Sequence, residues 1–385
     1  MKSDKPILVR ITTVPISLEK LLHGQLRFMS SFYRVIGISS TDDGLEKVRA
    51  QEGIEVWKVP MTRKITPVQD LKTVVSLYRY FRKIKPSIVH SHTPKAGIVA
   101  MLAAKLAGVP HRLHTVAGLP LLEATGAKRK LLDAVEKLTY ACATHVYPNS
   151  KGLSDIILQN GYAPARKVKV LANGSSNGID TSYFSTAHFS ADDNTKLKES
   201  LGIMPDDFTF IFVGRLVGDK GMNELMAAYE KLKADYPQAK LLLVGDFESD
   251  LDPLKPETVD RINNTTGVIT TGFRQDVRPY LAISDALVLP TYREGFPNVV
   301  LQAGAMGLPS IVTDINGCNE IVSHEINGLI IPVKDEMAIF KAMKRLLDDT
   351  ALHASMRGIA RDQIVSRFEQ RVVWEAILQE YQTLR

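Results

Sequence analysis

Two stretches in the second half of this 385-residue chain bring together residue types suited to phosphate chemistry. In Phe212-Val-Gly-Arg-Leu-Val-Gly-Asp-Lys-Gly-Met an apolar run ends at Val213. A loop opening at Gly214 then carries Arg215 and Lys220, and a helix is predicted from near Gly221. A forked guanidinium and a point-charge ammonium beside a helix N-terminus make a receptor for a diphosphate, and can balance the charge of a departing diphosphate without a metal. The plainer alternative is a surface loop with two solvated cations.

The second stretch is Pro290-Thr-Tyr-Arg-Glu-Gly-Phe-Pro-Asn-Val-Val-Leu-Gln-Ala-Gly-Ala-Met-Gly-Leu-Pro. It leads from the strand-like Val288-Leu289 through a loop holding Glu294 into a helix begun by Pro297, a position where proline is tolerated. The amides of Phe296 to Val299 would suit phosphate oxygens. Gln302 sits about a turn and a half along, roughly 8 Å by helical rise. A carboxylate at the mouth accepts from sugar hydroxyls, and a deeper acceptor takes a ribose diol. A tight turn at Gly295 and Pro297 would explain the helix start, but not the carboxylate before it.

The first half offers His90-Ser-His-Thr-Pro-Lys-Ala-Gly. His90 and His92 are spaced to point one way at a strand end. A metal would need a third ligand, and none is near, so structural or substrate-facing histidines are the better reading. Lys95 falls in the first turn of a helix, where the dipole disfavours a cation, which suggests an anionic partner such as a lipid diphosphate. Glu320 reads equally as a helix cap or as a group orienting a helix toward a ligand in the cleft.

These residues need scaffolds, and the pattern supplies strands alternating with helices. Strand-like runs are Ile7–Ile11, Val35–Ser39, Ile54–Trp57, Ser87–His90, Arg112–Val116, His145–Tyr147 and Val168–Leu171. Helices fit Ser17 to about Ser31, Lys95–Ala107 and Lys128–Ala143. A further helix is marked by Val68, Leu71, Val75, Tyr78, Phe81 and Ile84 at three- and four-residue steps. A second alternation runs through Phe208–Val213, Lys240–Val244, Gly267–Thr271, Ala286–Leu289, Ser310–Val312 and Leu329–Pro332, with polar Ser185–Glu199 as the expected linker. The fold class is therefore α/β, with two doubly wound parallel sheets whose ligands lie at the carboxyl ends of the strands.

Composition agrees. A 45% hydrophobic content and 23% charged residues exclude a disordered, collagen-like or coiled-coil chain. The longest apolar run, Ala96–Ala104, is too short to cross a bilayer. The start shows no signal-peptide core, and Cys142 and Cys318 are too few for a disulfide scaffold, so a reduced, cytoplasmic setting is expected. Residues 1–190 carry 27 Lys and Arg against 13 Asp and Glu, while residues 191–385 carry 21 against 29. A basic first half facing something anionic is expected, with a solvated basic surface as the alternative.

Taken together, Gly-Arg…Lys-Gly at 214–221, Glu-Gly-Phe-Pro at 294–297, Ala-x-x-x-Gly-x-Pro at 303–309 and Glu320-Ile-Val…Asn327-Gly-Leu resemble the retaining family-4 glycosyltransferases. The resemblance covers nearly the whole chain, more weakly in its first half. His90–Gly97 and Asn173-Gly-Ser-Ser-Asn-Gly-Ile-Asp are similar to the bacterial capsule and surface-polysaccharide subgroup, whose members extend a sugar on undecaprenyl diphosphate. The resemblance implies the GT-B architecture of two Rossmann-like domains facing a cleft: an acceptor domain over 1–188, a nucleotide-sugar domain over 189–367, and a final helix over 368–385 crossing back to the first. That helix has an apolar set in Val372, Val373, Ile377, Leu378 and Tyr381.

The resemblance also assigns residues. Arg215 and Lys220 would hold the donor diphosphate, and Glu294 would contact the transferred hexose or N-acetylhexosamine; these three form the catalytic set. Gly214, Phe296, Pro297, Asn298, Val299 and Gln302 would bind the donor, its base resting on the loop of Phe273 and Arg274. Ser17, His92, Lys95 and His114 are the acceptor candidates. The donor would be a nucleotide diphosphate sugar, UDP-linked, with no metal or cofactor. The leaving phosphate would take the acceptor proton on the same face, so no enzyme base is needed. Leu119–Leu132, with Lys128, Arg129 and Lys130, would dock shallowly on an anionic membrane at its cytoplasmic face, while Leu131, Leu132, Val135 and Leu138 read as core. Three positions depart from the family. Gln302 replaces a glutamate, at an expected loss of about 1–1.5 kcal/mol. Ala117 stands where a histidine is usual, and Thr12–Ser17 lacks a glycine pair. The alternatives are a sugar-nucleotide epimerase or hydrolase of the same architecture, and a non-catalytic binder of nucleotide or anionic lipid. No nucleic-acid module is recognisable.

Overall fold

The computed structural model describes residues 5–64, 66–119, 121, 124–248 and 252–384. The chain divides into two compact units, one built from residues up to Gly178 together with those from Arg371 onward, the other from Ile179–Gln370.

The first unit holds six parallel strands: β1 (Ile7–Ile11), β2 (Arg34–Ser39), β3 (Glu55–Lys58), β4 (Ile88–Ser91), β5 (His111–Val116) and β6 (His145–Pro148). Their order is β3-β2-β1-β4-β5-β6, so the winding reverses between β1 and β4 and opens a crevice over their carboxyl ends. Helices cover both faces, which is why the strand sequences are continuously apolar rather than alternating. Val9 and Ile11 face α4 (Pro67–Ile84), α5 (Pro94–Leu106), α6 (Gly126–Cys142) and α7 (Lys151–Gln159). Leu8 faces α1 (Pro15–Leu21), α2 (Gln25–Ser30) and α3 (Gly44–Glu52).

Two expected elements differ. The helix expected over Ser17–Ser31 breaks at Gly24, whose φ of +75° favours glycine and whose added Cβ would lie 2.6 Å from the Trp374 ring. Val168–Leu171 makes a single bridge, Val146 to Val168, and not a strand, because a 3₁₀ turn at Ala165–Lys167 delivers the chain to the sheet edge for only one step.

The second unit repeats the plan with β7 (Phe208–Val213), β8 (Ala239–Val244), β9 (Val268–Thr270), β10 (Ala286–Leu289), β11 (Ser310–Thr313) and β12 (Gly328–Ile331), in the order β12-β11-β10-β7-β8-β9. Its helices are α8 (Ala191–Ser200), α9 (Met222–Asp235), α10 (Pro256–Asn264), α11 (Arg278–Ala282), α12 (Asn298–Ala305), α13 (Cys318–Ile321), α14 (Glu336–Asp348) and α15 (Thr350–Phe368). Its winding reverses between β7 and β10.

The division falls at Gly178 and not at 188. Ile179 N donates to Phe368 O (2.8 Å), Gln370 N donates to Ile179 O (3.0 Å), and the Arg361 guanidinium holds the carbonyls of Thr181 and Phe184, so this segment belongs to the second unit. The expected linker Ser185–Glu199 is likewise folded into that unit: the Ser190 hydroxyl caps α8, and Leu197 packs on the core. The last helix, α16 (Gln370–Thr383), packs in the first unit, burying Val373, Ile377, Leu378 and Tyr381. Val372, expected in that apolar set, lies off the stripe and is 40% exposed. Among the described residues, no helix is long and apolar enough to cross a membrane.

Candidate active site

At the reversal point of the second sheet, the loops after β7 and β10 press together. Gly221 makes this approach possible: its φ is +72°, and an added Cβ would lie 2.1 Å from the Pro290 carbonyl oxygen. The Asp219 carbonyl accepts from Tyr292 N (2.8 Å) and from Thr291 Oγ1 (3.2 Å), and the Arg293 guanidinium pairs with the Asp219 carboxylate. The Tyr292 hydroxyl donates to Glu224 at 2.6 Å, and burial, helped by that carboxylate, pushes the phenol up. This lacing brings the Lys220 ammonium onto the Glu294 carboxylate as an ion pair, each side chain about four-fifths buried (18% and 20% exposed). Arg215 is more open. Its guanidinium donates to Glu248, and that bond holds its pKa above the usual value. The catalytic set expected from sequence thus collects in one unit, with counter-charges that the motifs did not include.

The Asn316 amide donates to the Glu294 carbonyl and fixes the loop from behind. Pro297 is the N-cap of α12, one position ahead of the helix it was expected to begin. The first intrahelical bond, Val300 N to Pro297 O at 3.1 Å, leaves the amides of Asn298 and Val299 at the open start of the helix. Phe296 packs on Phe368, and Gln302 lies half-buried on the second turn. Beyond β9, Phe273 N donates to Asp246 (2.8 Å) and its ring is 72% exposed, while Arg274 lies over Tyr280. Glu320 resolves as a cap: its carboxylate accepts from Gly317 N at 3.4 Å. Glu248 and Asn316 were missed because each sits far in sequence from the motif it serves, and the role of Asp219, though it lies inside the first motif, was missed because its partner Arg293 is 74 residues away. For Glu248, its place just past the end of β8 was the available signal.

In the first unit, a groove of about 690 Å³ opens at the carboxyl ends of β1 and β4. Ser17 and Lys95 line it, together with Arg63, Lys128, Ile98, Leu132 and Val135. Lys95 carries its own counter-ion, Asp70. Glu136 lies at the groove and is mostly buried, which pushes its carboxyl pKa up. His92 and His114, grouped with Ser17 and Lys95 on sequence grounds, are not on this wall. His114 is buried against Gly97, where an added Cβ would lie 2.5 Å from the ring, and accepts from or donates to Ser91 Oγ at 2.8 Å. Burial lowers its pKa to about 4. His92 is buried beside Arg10, and His90 between Tyr381 and Thr115.

The segment expected to dock on a membrane differs too. Leu119 and Leu121 are buried in the core, and Pro120, Leu122 and Glu123 lie outside the described residues. Arg129 is tied to Asp133 (3.0 Å) and Tyr162 (3.2 Å), whereas Lys128 and Lys130 are exposed. Leu131 and Leu138, expected in the core, face solvent. A longer apolar stripe lies on α4, where Val68, Leu71, Val75 and Tyr78 are exposed while Val74, Leu77 and Phe81 form the buried face.

Two Rossmann-like units, one carrying an Arg–Lys–Glu set at its switch point, define a two-domain α/β protein with a candidate ligand site. Residues 207–349 match the family described as glycosyl transferases group 1, and residues 29–174 match the glycosyl transferase 4-like domain. The capsular polysaccharide biosynthesis glycosyltransferase CapM of Staphylococcus aureus is 31% identical over 384 residues, covering 100% of this chain and 98% of the relative. An Escherichia coli UDP-Gal:alpha-D-GlcNAc-diphosphoundecaprenol alpha-1,3-galactosyltransferase is 32% identical over 324 residues, 82% of this chain and 81% of that one. Among solved structures, Anabaena Alr3699/HepE in complex with UDP aligns with a TM-score of 0.81 at 20% identity, over 98% of this chain and 100% of its own. The chain belongs to the group-1, family-4-like glycosyltransferases, and its fold is GT-B.

Proposed function

We propose that this glycosyltransferase moves a hexose or N-acetylhexosamine, with retention of anomeric configuration, from a UDP-sugar to a saccharide linked to a polyprenyl diphosphate. The observation that carries the reading is the Lys220–Glu294 pair beside Arg215 at the switch point of the second unit. The Escherichia coli relative named above uses UDP-Gal and a diphosphoundecaprenol acceptor. A Campylobacter jejuni relative, 25% identical over 90% of each chain, is an N-acetylgalactosaminyltransferase acting on a diphospho-undecaprenol saccharide.

The bond from the sugar anomeric carbon to the UDP β-phosphate oxygen breaks, and the acceptor oxygen bonds to that carbon on the same face. The acceptor proton passes to the leaving phosphate. Arg215, Lys220 and the first amides of α12 stabilise the charge that develops there, already oriented before the reaction, so no metal is required. Glu294 takes a sugar hydroxyl, and Phe273 offers its exposed ring to the base. In the first unit, Arg63, Lys95 and Lys128 suit the acceptor diphosphate, and Ile98, Leu132 and Val135 its first isoprenoid units. The apolar stripe of α4, bordered by exposed Lys72, Arg79 and Lys83, rests on the anionic cytoplasmic membrane face.

Calorimetric titration with UDP, GDP and ADP in EDTA tests the donor half. Selective UDP binding, weakened at least tenfold by Arg215→Ala, is the expected result. Absence of binding to all three nucleotides would overturn the reading.

A further inference from the structure

Arg215, the half-exposed member of the cationic set, is held by a carboxylate that neither motif contains. Its guanidinium donates to Glu248, just past the end of β8, and the two form an ion pair. The backbone builds this meeting. Gly214 N donates to Val244 O (3.0 Å), Leu216 N donates to Asp246 O (2.9 Å), and Leu216 bridges Phe247, so the chain leaving β8 runs beside the chain leaving β7. Gly245 permits the approach, since an added Cβ there would lie 1.8 Å from the Gly214 carbonyl oxygen. Asp252 ties the two again: its carbonyl accepts from Gly218 N (3.0 Å) and its carboxylate from Asp219 N. Glu248 thus reaches Arg215 from a backbone clamped on either side of it.

The other carboxylates that act on Arg215 are engaged elsewhere. Asp219 takes the Arg293 guanidinium, and Glu294 takes the Lys220 ammonium. Glu248 pairs with no second cation among the described residues, and its side chain is one-third exposed (33%). A diphosphate that needs the Arg215 fork therefore meets one competitor, an anion that water can solvate once it is displaced.

That competition does not fall equally on donor and product. In a UDP-sugar both phosphates are esterified, and the diphosphate carries two negative charges. Free UDP ends in a phosphate whose second proton leaves with a pKa of about 6, so near neutral pH it carries almost one charge more. A fixed negative charge beside Arg215 opposes the more highly charged species more strongly.

We propose that Glu248 is a specificity residue of the donor site, acting through Arg215. It yields the guanidinium to the diphosphate of a UDP-sugar and reclaims it after transfer, so that product UDP is held less tightly than Arg215 and Lys220 alone would hold it. This rests on the donor reading above and extends it to product release. Glu248 makes and breaks no covalent bond; one ion pair is exchanged for another.

Calorimetry on the full chain tests this with UDP and with UDP-glucose, UDP-galactose and their N-acetyl forms, for the unaltered protein, Glu248→Gln and Glu248→Asp. Glu248→Gln should bind UDP at least about fivefold more tightly, gain less for whichever UDP-sugar binds, and melt at the unaltered temperature. Glu248→Asp, which keeps the charge, should stay near the unaltered protein, and the gain in Glu248→Gln should shrink as salt rises. UDP binding that is unchanged or weaker in Glu248→Gln would overturn the proposal, as would an equal gain for UDP and UDP-sugar. Silence of the unaltered protein toward every nucleotide would instead overturn the donor reading, and this one with it.

Discussion

Lys220 and Glu294, 74 residues apart, meet as an ion pair that joins the loops following β7 and β10. Neither strand end could hold this charge alone, because each group gives the other its counter-ion before any donor arrives. A cation already oriented toward a developing phosphate charge contributes more than one that must reorganise during the reaction. Removing such a preorganised group typically lowers kcat by about 10²–10³-fold. Lys220→Ala should fall in that range in initial-rate assays with UDP-sugar. Glu294→Gln should lower kcat/KM while leaving the calorimetric affinity for UDP itself unchanged, since UDP lacks the sugar proposed to meet Glu294.

Gly221 gives a separate test of the loop packing. Alanine there would place a carbon 2.1 Å from the Pro290 carbonyl in a left-handed backbone region. The strained conformation costs about 1–3 kcal/mol. Gly221→Ala should unfold at lower denaturant and bind UDP at least tenfold more weakly, both from displacement of the same two loops.

The α4 stripe predicts a membrane phenotype without a catalytic one. Leu71 and Val75 are solvent-exposed, so glutamate at either position removes no core contact. The unaltered protein should sediment with anionic vesicles at low salt and release as salt rises. Leu71→Glu with Val75→Glu should weaken vesicle binding at least tenfold, with unchanged melting temperature and unchanged turnover of a water-soluble acceptor analogue.

The buried histidines tie stability to pH. His114 titrates near 4 when folded, against an ordinary value of 6.5, because burial disfavours its cation. The unfolded chain therefore binds the proton first, and stability is lost as pH falls from about 6.5 toward 4. At about 1.4 kcal/mol per pKa unit, His114 alone accounts for a loss of about 3 kcal/mol. His90 and His92, both lowered by burial, act in the same direction. Urea unfolding from pH 7 to pH 4.5 should show a smaller loss for His114→Gln than for the unaltered chain.

The strands were legible because both sheets are covered on two faces, so apolar runs such as Ile7–Ile11 and Phe208–Val213 stand out against polar loops. The chemical set of Arg215, Lys220 and Glu294 was legible for the related reason that its members flank those strand ends. What covers an apolar face was not legible. On α4, Val68, Leu71, Val75 and Tyr78 keep helical spacing as well as Leu77 and Phe81 do, yet only the latter pack inward. Likewise, His92 lies in the same stretch as the groove residues Thr93 and Lys95, but it and His114 are buried on opposite faces of the sheet, His92 beside Arg10 and His114 against Gly97. Asp70, Glu248 and Asn316 were hidden because their partners lie 25, 33 and 22 residues away, beyond any local motif.

The chain leaves the first unit at Gly178 and returns to it at Arg371, with Ile179 bonded to both Phe368 and Gln370 where the excursion closes. The second unit is thus an insertion within the first, and of all these elements α16 is the last to leave the ribosome. The first sheet must wait for that helix to supply Val373, Ile377 and Tyr381, while the inserted unit already has every strand it needs. During synthesis, the half made later is therefore the one equipped to finish first. A chain cut short after residue 370 would leave a complete second unit attached to an unsealed first one.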